Sequence, residues 1–201
     1  HLNMQEYIWD GIKRDRLVWV GDMHPETLTI RTVFGADASV ARSLEFIRKE
    51  TPLPGWMNGM ASYTMWYAII VHDWFMYTGD LEWLRSQEEY LEGISRQLSE
   101  CIDEKGKDTV TEGRFLDWPS SDRPDVVDAG VQAIHLLAAD SLRKLFMALG
   151  KQGPAEECAR DMERLACFPA DADGSKQAAA LLVLAGLRDA EEMNGSVRQE
   201  A

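Results

Sequence analysis

The residues best suited to chemistry lie close together between Trp9 and Asp22. This stretch reads Trp-Asp-Gly-Ile-Lys-Arg-Asp-Arg-Leu-Val-Trp-Val-Gly-Asp, so the carboxylates of Asp10, Asp15 and Asp22 are interspersed with arginines and tryptophans. Cleavage of a glycosidic bond needs one carboxylic acid to protonate the leaving oxygen and a second carboxylate to activate water. Tryptophan offers an apolar face that suits the C–H face of a sugar. The segment is therefore a candidate sugar site.

The same segment also has an interpretation without chemistry. Acidic and basic side chains at this spacing form salt bridges in solvated loops, which contribute little to stability or function. The pattern is too irregular for a helix, so it is expected to be a loop in either case. Residue types alone leave both interpretations open.

The composition excludes several classes of function. The chain has 201 residues, enough for about one domain, and its 21 basic and 34 acidic residues give a net charge of −13. Nucleic acids and anionic membrane surfaces are bound through basic patches, so neither is an expected partner. The sequence has no apolar run of membrane-spanning length. It also has no cysteine spacing or motif typical of a metal or cofactor site, so neither is predicted.

The elements that must position the candidate site are predicted to be helices. Apolar residues recur at helical spacing, and alternating strand patterns are almost absent. The segment 104–123 has no periodicity and is predicted to be a long loop, a kind that is usually functional or disordered. The tail from Arg188 is expected to fray. Predicted helices cover about 25–34, 37–49, 60–77, 87–102, 125–149, 154–166 and 175–187. A further short helix, capped by Asp80, is predicted between 60–77 and 87–102.

Apolar and charged helices alternate along the chain. The helices at 60–77, 125–149 and 175–187 are apolar on most faces, which is typical of buried helices, whereas 87–102 and 154–166 are amphipathic. This alternation predicts an all-α fold with two layers of helical hairpins, which an α/α toroid or an α-solenoid would both produce. A closed ring of about twelve helices needs well over roughly 300 residues. This chain alone is too short to close one.

The spacing within residues 10–22 resembles the central motif of the α-L-rhamnosidase-like glycoside hydrolases, which are six-hairpin α/α-barrel enzymes. The shared pattern is Asp-x-x-x-Arg-[Glu/Asp]-Arg-x-x-Trp-x-Gly-Asp. The resemblance implies alternating inner and outer hairpins that form part of an (α/α)6 barrel, with 1–201 as a single, incomplete catalytic domain. It also implies inverting hydrolysis of a terminal α-L-rhamnosyl or related sugar. The implied partners are a carbohydrate and the remaining parts of the barrel.

The resemblance implies a role for each residue that matches the motif. Asp15 falls on the position of the general acid, and Asp10 and Asp22 would hold sugar hydroxyls or the catalytic water. Arg14 and Trp19 would line the sugar subsite. The family's acid is usually glutamate, and aspartate is one methylene shorter. A displacement of about 1 Å can cost about 10²-fold in rate.

Weaker matches imply further substrate contacts. Tyr63 stands where the family has a stacking tryptophan, and Trp66 follows in the same segment. Asp117 and Trp118 resemble a Gly-Asp-Trp segment that supplies a second sugar-facing tryptophan. These matches extend the resemblance over roughly 8–190. The family's second glutamate, the general base, has no counterpart in a suitable context and is expected to lie outside this chain.

Two other functions stay open at this stage. The aspartate at position 15 and the missing base favour a non-catalytic relative that binds carbohydrate or serves as a helical scaffold. A helical solenoid that binds protein is the third hypothesis. The compartment is also undetermined, because a bacterial periplasmic, extracellular or cytoplasmic location would each suit this composition.

Overall fold

The computed structural model describes the backbone of residues 2–198 and the side chains of residues 2–195. Within this part of the chain, the only extended pairings are isolated bridges, and the remaining regular structure is helical. The predicted all-α fold is therefore confirmed. The helices are α1 (Val20–Val33), α2 (Ala38–Glu50), α3 (Ala61–Thr78), α4 (Leu81–Ser99), α5 (Pro124–Ala148), α6 (Gln152–Ala166), α7 (Lys176–Leu184) and α8 (Ala190–Arg198), and a short 3₁₀ turn covers Met57–Gly59.

The helices form two layers that alternate along the chain. Helices α1, α3, α5 and α7 lie side by side, each in contact with the next, and make up the inner layer. Each is followed in sequence by a helix of the outer layer, so that α4 and α6 pack on α5 and on each other. This is the arrangement of helical hairpins that the sequence predicts.

Burial explains why the layers separate in this way. On α3, side chains on every face are buried, among them Met65, Tyr67 and Ile70 with no exposed surface. On α4, apolar residues recur along one stripe, and Leu84 and Leu91 on that stripe are fully buried. Burial of each such side chain stabilises the fold by about 2 kcal/mol. No helix within the described residues combines the length and the hydrophobicity needed to cross a membrane.

Helix α1 begins earlier than the sequence predicts. It starts at Val20 rather than near Pro25, so the last three residues of the 10–22 motif are helical. The expectation that the whole motif is irregular was therefore wrong for this end. Pro25 lies inside the helix, where its missing N–H removes a single hydrogen bond near the N-terminus. The side chain of Asn58 accepts a bond from the Val20 N–H and supports the earlier start.

Two further boundaries also differ from the prediction. A single helix, α4, replaces the expected short helix and the separate helix from Gln87. Gln87 lies within α4, where glutamine is a good helix former, and its buried side chain accepts a bond from the Tyr67 hydroxyl at 3.2 Å and donates to the Ser86 hydroxyl at 2.8 Å. Beyond Arg188, the tail expected to fray forms α8, whose first turn is capped by the Asp189 carboxylate.

The long loop between α4 and α5 is held by a buried polar network. Asp108 accepts a hydrogen bond from the Arg114 guanidinium through Oδ1, and its Oδ2 lies 2.6 Å from Nδ1 of the buried His135. Arg114 also donates to Asp128 at 2.7 Å. On α5, Gln132 donates to the Gly106 carbonyl at 2.8 Å and accepts from the Asp108 N–H at 2.8 Å. The loop is thus anchored although it has no regular structure.

Candidate active site

Residues 10–17 form a tight turn that brings two carboxylates to one place. The Asp10 N–H donates to the Leu17 carbonyl at 3.0 Å, and the Gly11 carbonyl accepts from the Asp15 N–H at 3.1 Å. Gly11 has a φ of +56°, which suits glycine, and a Cβ at this position would overlap the Asp15 carboxylate. The glycine therefore lets Asp15 fold back beside Asp10.

Asp15 is held by a guanidinium and an indole. Arg14 Nε lies 3.4 Å from Asp15 Oδ2, and Nη2 of the same arginine lies 3.4 Å from Asp10 Oδ2. The Trp19 indole N–H donates to Asp15 Oδ2 at 3.3 Å. Desolvation acts to raise the pKa of Asp15, but the backbone bond, the indole and the Arg14 charge together lower it below its ordinary value. Asp15 is therefore a carboxylate at neutral pH in the free protein.

Asp22 occupies the first turn of α1 and faces α3. The Tyr63 hydroxyl donates to Asp22 Oδ2 at 3.0 Å. Desolvation and the nearby charge of Asp10 raise the pKa of Asp22, and the bond from Tyr63 opposes them. Helices α1 and α3 approach each other closely at this point. Gly21 permits the approach, since a Cβ at this position would overlap the ring of Tyr63.

A row of aromatic rings continues from the motif to the long loop. Trp19 and Tyr63 meet edge to face with ring centroids 6.3 Å apart, and Phe115 lies 6.2 Å from Tyr63. Trp118 follows at 5.2 Å from Phe115 and is 82% exposed. A tryptophan left this open to solvent contributes little to the core, so its ring is available to a ligand.

The carboxylates and the aromatic row enclose a cleft of about 620 Å³. That volume lies within the range of small-molecule sites. All three aspartates of the motif line the cleft, and no glutamate is among its lining residues within the described part of the chain. The lining consists of Asp10, Arg14, Asp15, Trp19, Asp22, Asn58, Met60, Tyr63, Phe115 and Trp118.

Two residues predicted to contact substrate lie outside this lining. Trp66 packs in the seam between α1 and α3, where its ring stacks on His24 with centroids 4.8 Å apart. Asp117 shapes the loop, since its carboxylate accepts from the Ser120 N–H at 2.7 Å and from the Ser120 hydroxyl. Neither side chain therefore lines the cleft.

The sequence did not indicate three residues that bear on the site. Phe115 lies directly before the segment with Asp117 and Trp118 that resembles a family motif. This proximity was the only feature of the sequence that pointed to Phe115. Asn58 has no signal in sequence. Glu26 lies one turn after Asp22 on α1, and burial together with the charges of Asp10 and Asp22 raises its pKa to about 7. Its helical spacing from Asp22 becomes visible only once α1 is known to start at Val20.

Comparison with known proteins bears on the identity of the chain. No curated protein matches it. The model of one protein family, described as the bacterial alpha-L-rhamnosidase 6 hairpin glycosidase domain, matches residues 1–168. That match contains the 10–22 motif, the lining of the cleft and six of the eight helices of the described region. The chain belongs to the bacterial alpha-L-rhamnosidase six-hairpin glycosidase domain family.

Proposed function

We propose that the protein is a glycoside hydrolase that acts on terminal α-L-rhamnosyl or related sugars by an inverting acid/base mechanism. One observation carries the proposal: three carboxylates of residues 10–22 line a cleft that aromatic rings also line. Carboxylates bind sugar hydroxyls and transfer protons, while aromatic faces cover the apolar face of a sugar ring. The family match supports a glycosidase-type domain over the same residues.

In this proposal Asp15 is the general acid. Its carboxylic proton passes to the glycosidic oxygen as the bond from that oxygen to the anomeric carbon breaks. Asp15 must therefore gain a proton that it lacks in the free protein. A bound sugar that displaces water from Asp15 and weakens its contact with Arg14 would raise the pKa, because both changes disfavour the charged carboxylate.

Asp10 and Asp22 are proposed to hold sugar hydroxyls or the attacking water. Inversion requires that water attack the anomeric carbon from the face opposite the leaving group while a base takes its proton. The cleft lining offers no glutamate for this step within the described residues. We infer that the base comes from another part of a complete barrel, of which residues 1–201 are one segment.

The remaining lining residues are proposed to bind the substrate. Arg14 reaches two of the carboxylates and can also donate to sugar oxygens. Trp19 and Tyr63 line the cleft beside Asp15 and Asp22, to which they donate hydrogen bonds. Trp118 lines the cleft from the long loop and is exposed to solvent. Asp117 contributes indirectly, through the turn that precedes α5.

A second candidate function rests on the ion pair of Asp15. A carboxylate that stays paired with Arg14 and open to solvent cannot donate a proton, although it can accept hydrogen bonds from a sugar. A protein with this site would bind carbohydrate without cleaving it. This candidate differs from the first in turnover, not in binding.

The deciding experiment measures release of nitrophenol from a panel of aryl glycosides, including the α-L-rhamnoside, by the protein produced from the complete gene. We expect turnover of one sugar. With an alkyl glycoside of that sugar as the substrate, kcat is expected to fall about 10²–10⁴-fold in Asp15→Asn, because an alkoxide needs a proton in order to leave, whereas nitrophenolate leaves without one. Glu163→Gln, a carboxyl-to-amide change on the exposed face of α6, is the matched control and is expected to keep full activity.

The other outcomes select the alternatives. Folded protein that binds a monosaccharide in calorimetry but cleaves no glycoside would favour the carbohydrate-binding function. Unchanged turnover of the alkyl glycoside in Asp15→Asn would exclude Asp15 as the acid. Absence of any sugar binding, together with a Trp19→Ala variant that behaves as wild type in the same assays, would favour a protein-binding helical scaffold.

A further inference from the structure

A single amide side chain contacts the motif segment on both sides of Trp19. Asn58 lies in the 3₁₀ turn with a φ of +52°, a left-handed conformation that asparagine tolerates better than most residues. Its Nδ2 donates to the Val18 carbonyl at 3.0 Å, and its Oδ1 accepts from the Val20 N–H at 3.1 Å. The amide therefore fixes both peptide groups that flank Trp19.

This contact replaces a missing cap on α1. The residue at the N-cap position, Trp19, provides no side-chain bond to the helix. The first N–H groups of any helix lack partners within the helix, and a side-chain acceptor there contributes about 1 kcal/mol. Asn58 supplies that acceptor from 38 residues further along the chain. The same bond thereby orients the first turn, which carries Asp22.

The turn that carries Asn58 is itself held from two directions. The Met57 N–H donates to the Thr64 hydroxyl of α3 at 2.9 Å. The Ala61 N–H donates to the Gly113 carbonyl of the long loop at 3.1 Å. Gly113 lies so close to this turn that a Cβ on it would overlap the Gly59 carbonyl. Asn58 thus projects from a support that α3 and the loop fix together.

We propose that Asn58 is a positioning residue for catalysis, which sets Trp19 and the first turn of α1 so that Asp15 and Asp22 face one substrate. The inference rests on the proposed function. Trp19 is the residue whose indole bonds to Asp15, so a shift of the 18–20 backbone moves the acid. The same shift moves Asp22 through the start of α1. Asn58 also lines the cleft, together with both aspartates.

The test compares three variants of the protein produced from the complete gene. Asn58→Gly keeps the left-handed turn and removes both bonds, so kcat is expected to fall about 10²-fold, with a much smaller change in KM. Asn58→Asp keeps an acceptor for the Val20 N–H but places an oxygen against the Val18 carbonyl, so its kcat should lie between wild type and Asn58→Gly. Gln97→Ala removes another amide side chain that donates to a backbone carbonyl, that of Pro54 at 2.7 Å; Gln97 lies in the outer layer outside the cleft lining, so this variant is expected to keep wild-type kcat.

Hydrogen–deuterium exchange provides a readout that does not depend on turnover. In Asn58→Gly the peptide that contains Val20 is expected to lose protection, whereas peptides from α5 should exchange as in wild type. A role limited to global stability would instead raise exchange everywhere and leave the kcat of the folded fraction unchanged. That result, or an unchanged kcat in Asn58→Gly, would overturn this inference while wild-type turnover upholds the proposed function. A wild-type protein that cleaves no glycoside would overturn the proposed function and the catalytic role with it.

Discussion

The Tyr63 hydroxyl tunes the charge of one carboxylate in the cleft. It donates to Asp22 Oδ2 and so favours the ionised form, against the desolvation and the Asp10 charge that disfavour it. Removal of the hydroxyl in Tyr63→Phe should therefore raise the pKa of Asp22. If ionised Asp22 holds the water, the acidic limb of the kcat/KM profile moves to higher pH. The measurement is kcat/KM against pH for wild type and variant.

The control for this prediction is Tyr90→Phe. The Tyr90 hydroxyl also donates a hydrogen bond, to the Thr51 carbonyl at 2.7 Å, but it lies in the outer layer. We expect this variant to keep the wild-type profile. An acidic limb that stays in place in Tyr63→Phe would show that the titration of Asp22 does not limit activity.

Glu26 makes the stability of the fold depend on pH. Its pKa lies at about 7, above the ordinary value of 4.5, because burial and two neighbouring aspartates disfavour its charge. The native state therefore binds more protons than the unfolded state between these values, and stability falls as the pH rises through this window. Glu26→Gln removes this loss. We expect the variant to be about 1–2 kcal/mol more stable than wild type at pH 8, after discounting for solvent screening, and equal to it near pH 4.

Urea unfolding at several pH values tests the prediction on Glu26. The matched control is Glu163→Gln, whose carboxyl is exposed on α6 and should give the same small difference at every pH. A Glu26→Gln variant that is no more stable at pH 8 than at pH 4, relative to wild type, would contradict the prediction.

At the scale of elements, the long loop depends on its buried anchor. The Asp108 side chain is fully buried, so water cannot solvate its charge, and Arg114 neutralises it. Arg114 also bonds to Asp128 and to the Val110 carbonyl. Removal of one partner from a buried ion pair costs about 3–5 kcal/mol, because the remaining charge is left without compensation. His135 still contacts Asp108, so Arg114→Ala should cost about 3 kcal/mol.

This prediction is checked by urea unfolding followed by circular dichroism. Arg96→Ala is the control, since Arg96 pairs with Glu92 at 3.7 Å on the exposed face of α4 and should contribute less than about 1 kcal/mol. Because the loop carries Phe115 and Trp118, KM should also rise in Arg114→Ala. Equal stability of the two variants would mean that the buried network does not hold the loop.

The elements also explain how far the sequence could predict the molecule. The two layers follow from local patterns, because a helix that is apolar on all faces must be buried. The start of α1 does not, since it depends on a bond from Asn58, 38 residues away. The buried bond between Gln87 of α4 and Tyr67 of α3 likewise joins residues 20 positions apart, so a local pattern does not reveal it.

The site divides in the same manner. The spacing of Asp10, Asp15 and Asp22 predicts their roles through a resemblance, and they line one cleft as that spacing suggests. The positions of Asn58 and Phe115 follow only from how distant segments pack. Residue patterns along the chain carry no direct signal of such contacts.

At the scale of the whole molecule, the proposed base sets a testable limit. If it lies outside residues 1–201, this chain alone should fold but should not cleave the glycoside that the complete protein cleaves. Parallel assays of both proteins, at equal concentration and with circular dichroism as a check on folding, make the comparison. Full turnover by the chain alone would place the base among its own residues.

The cleft takes its two kinds of residue from separate parts of the chain. The carboxylates come from residues 10–22, whereas Phe115 and Trp118 come from a loop tied near one end at Gly113 and at the other by the pair of Arg123 with Asp173. The stretch between those ties can change in length or aromatic content without moving an aspartate. The aromatic lining of the cleft can thus diversify by exchange of one loop while the three aspartates are inherited unchanged.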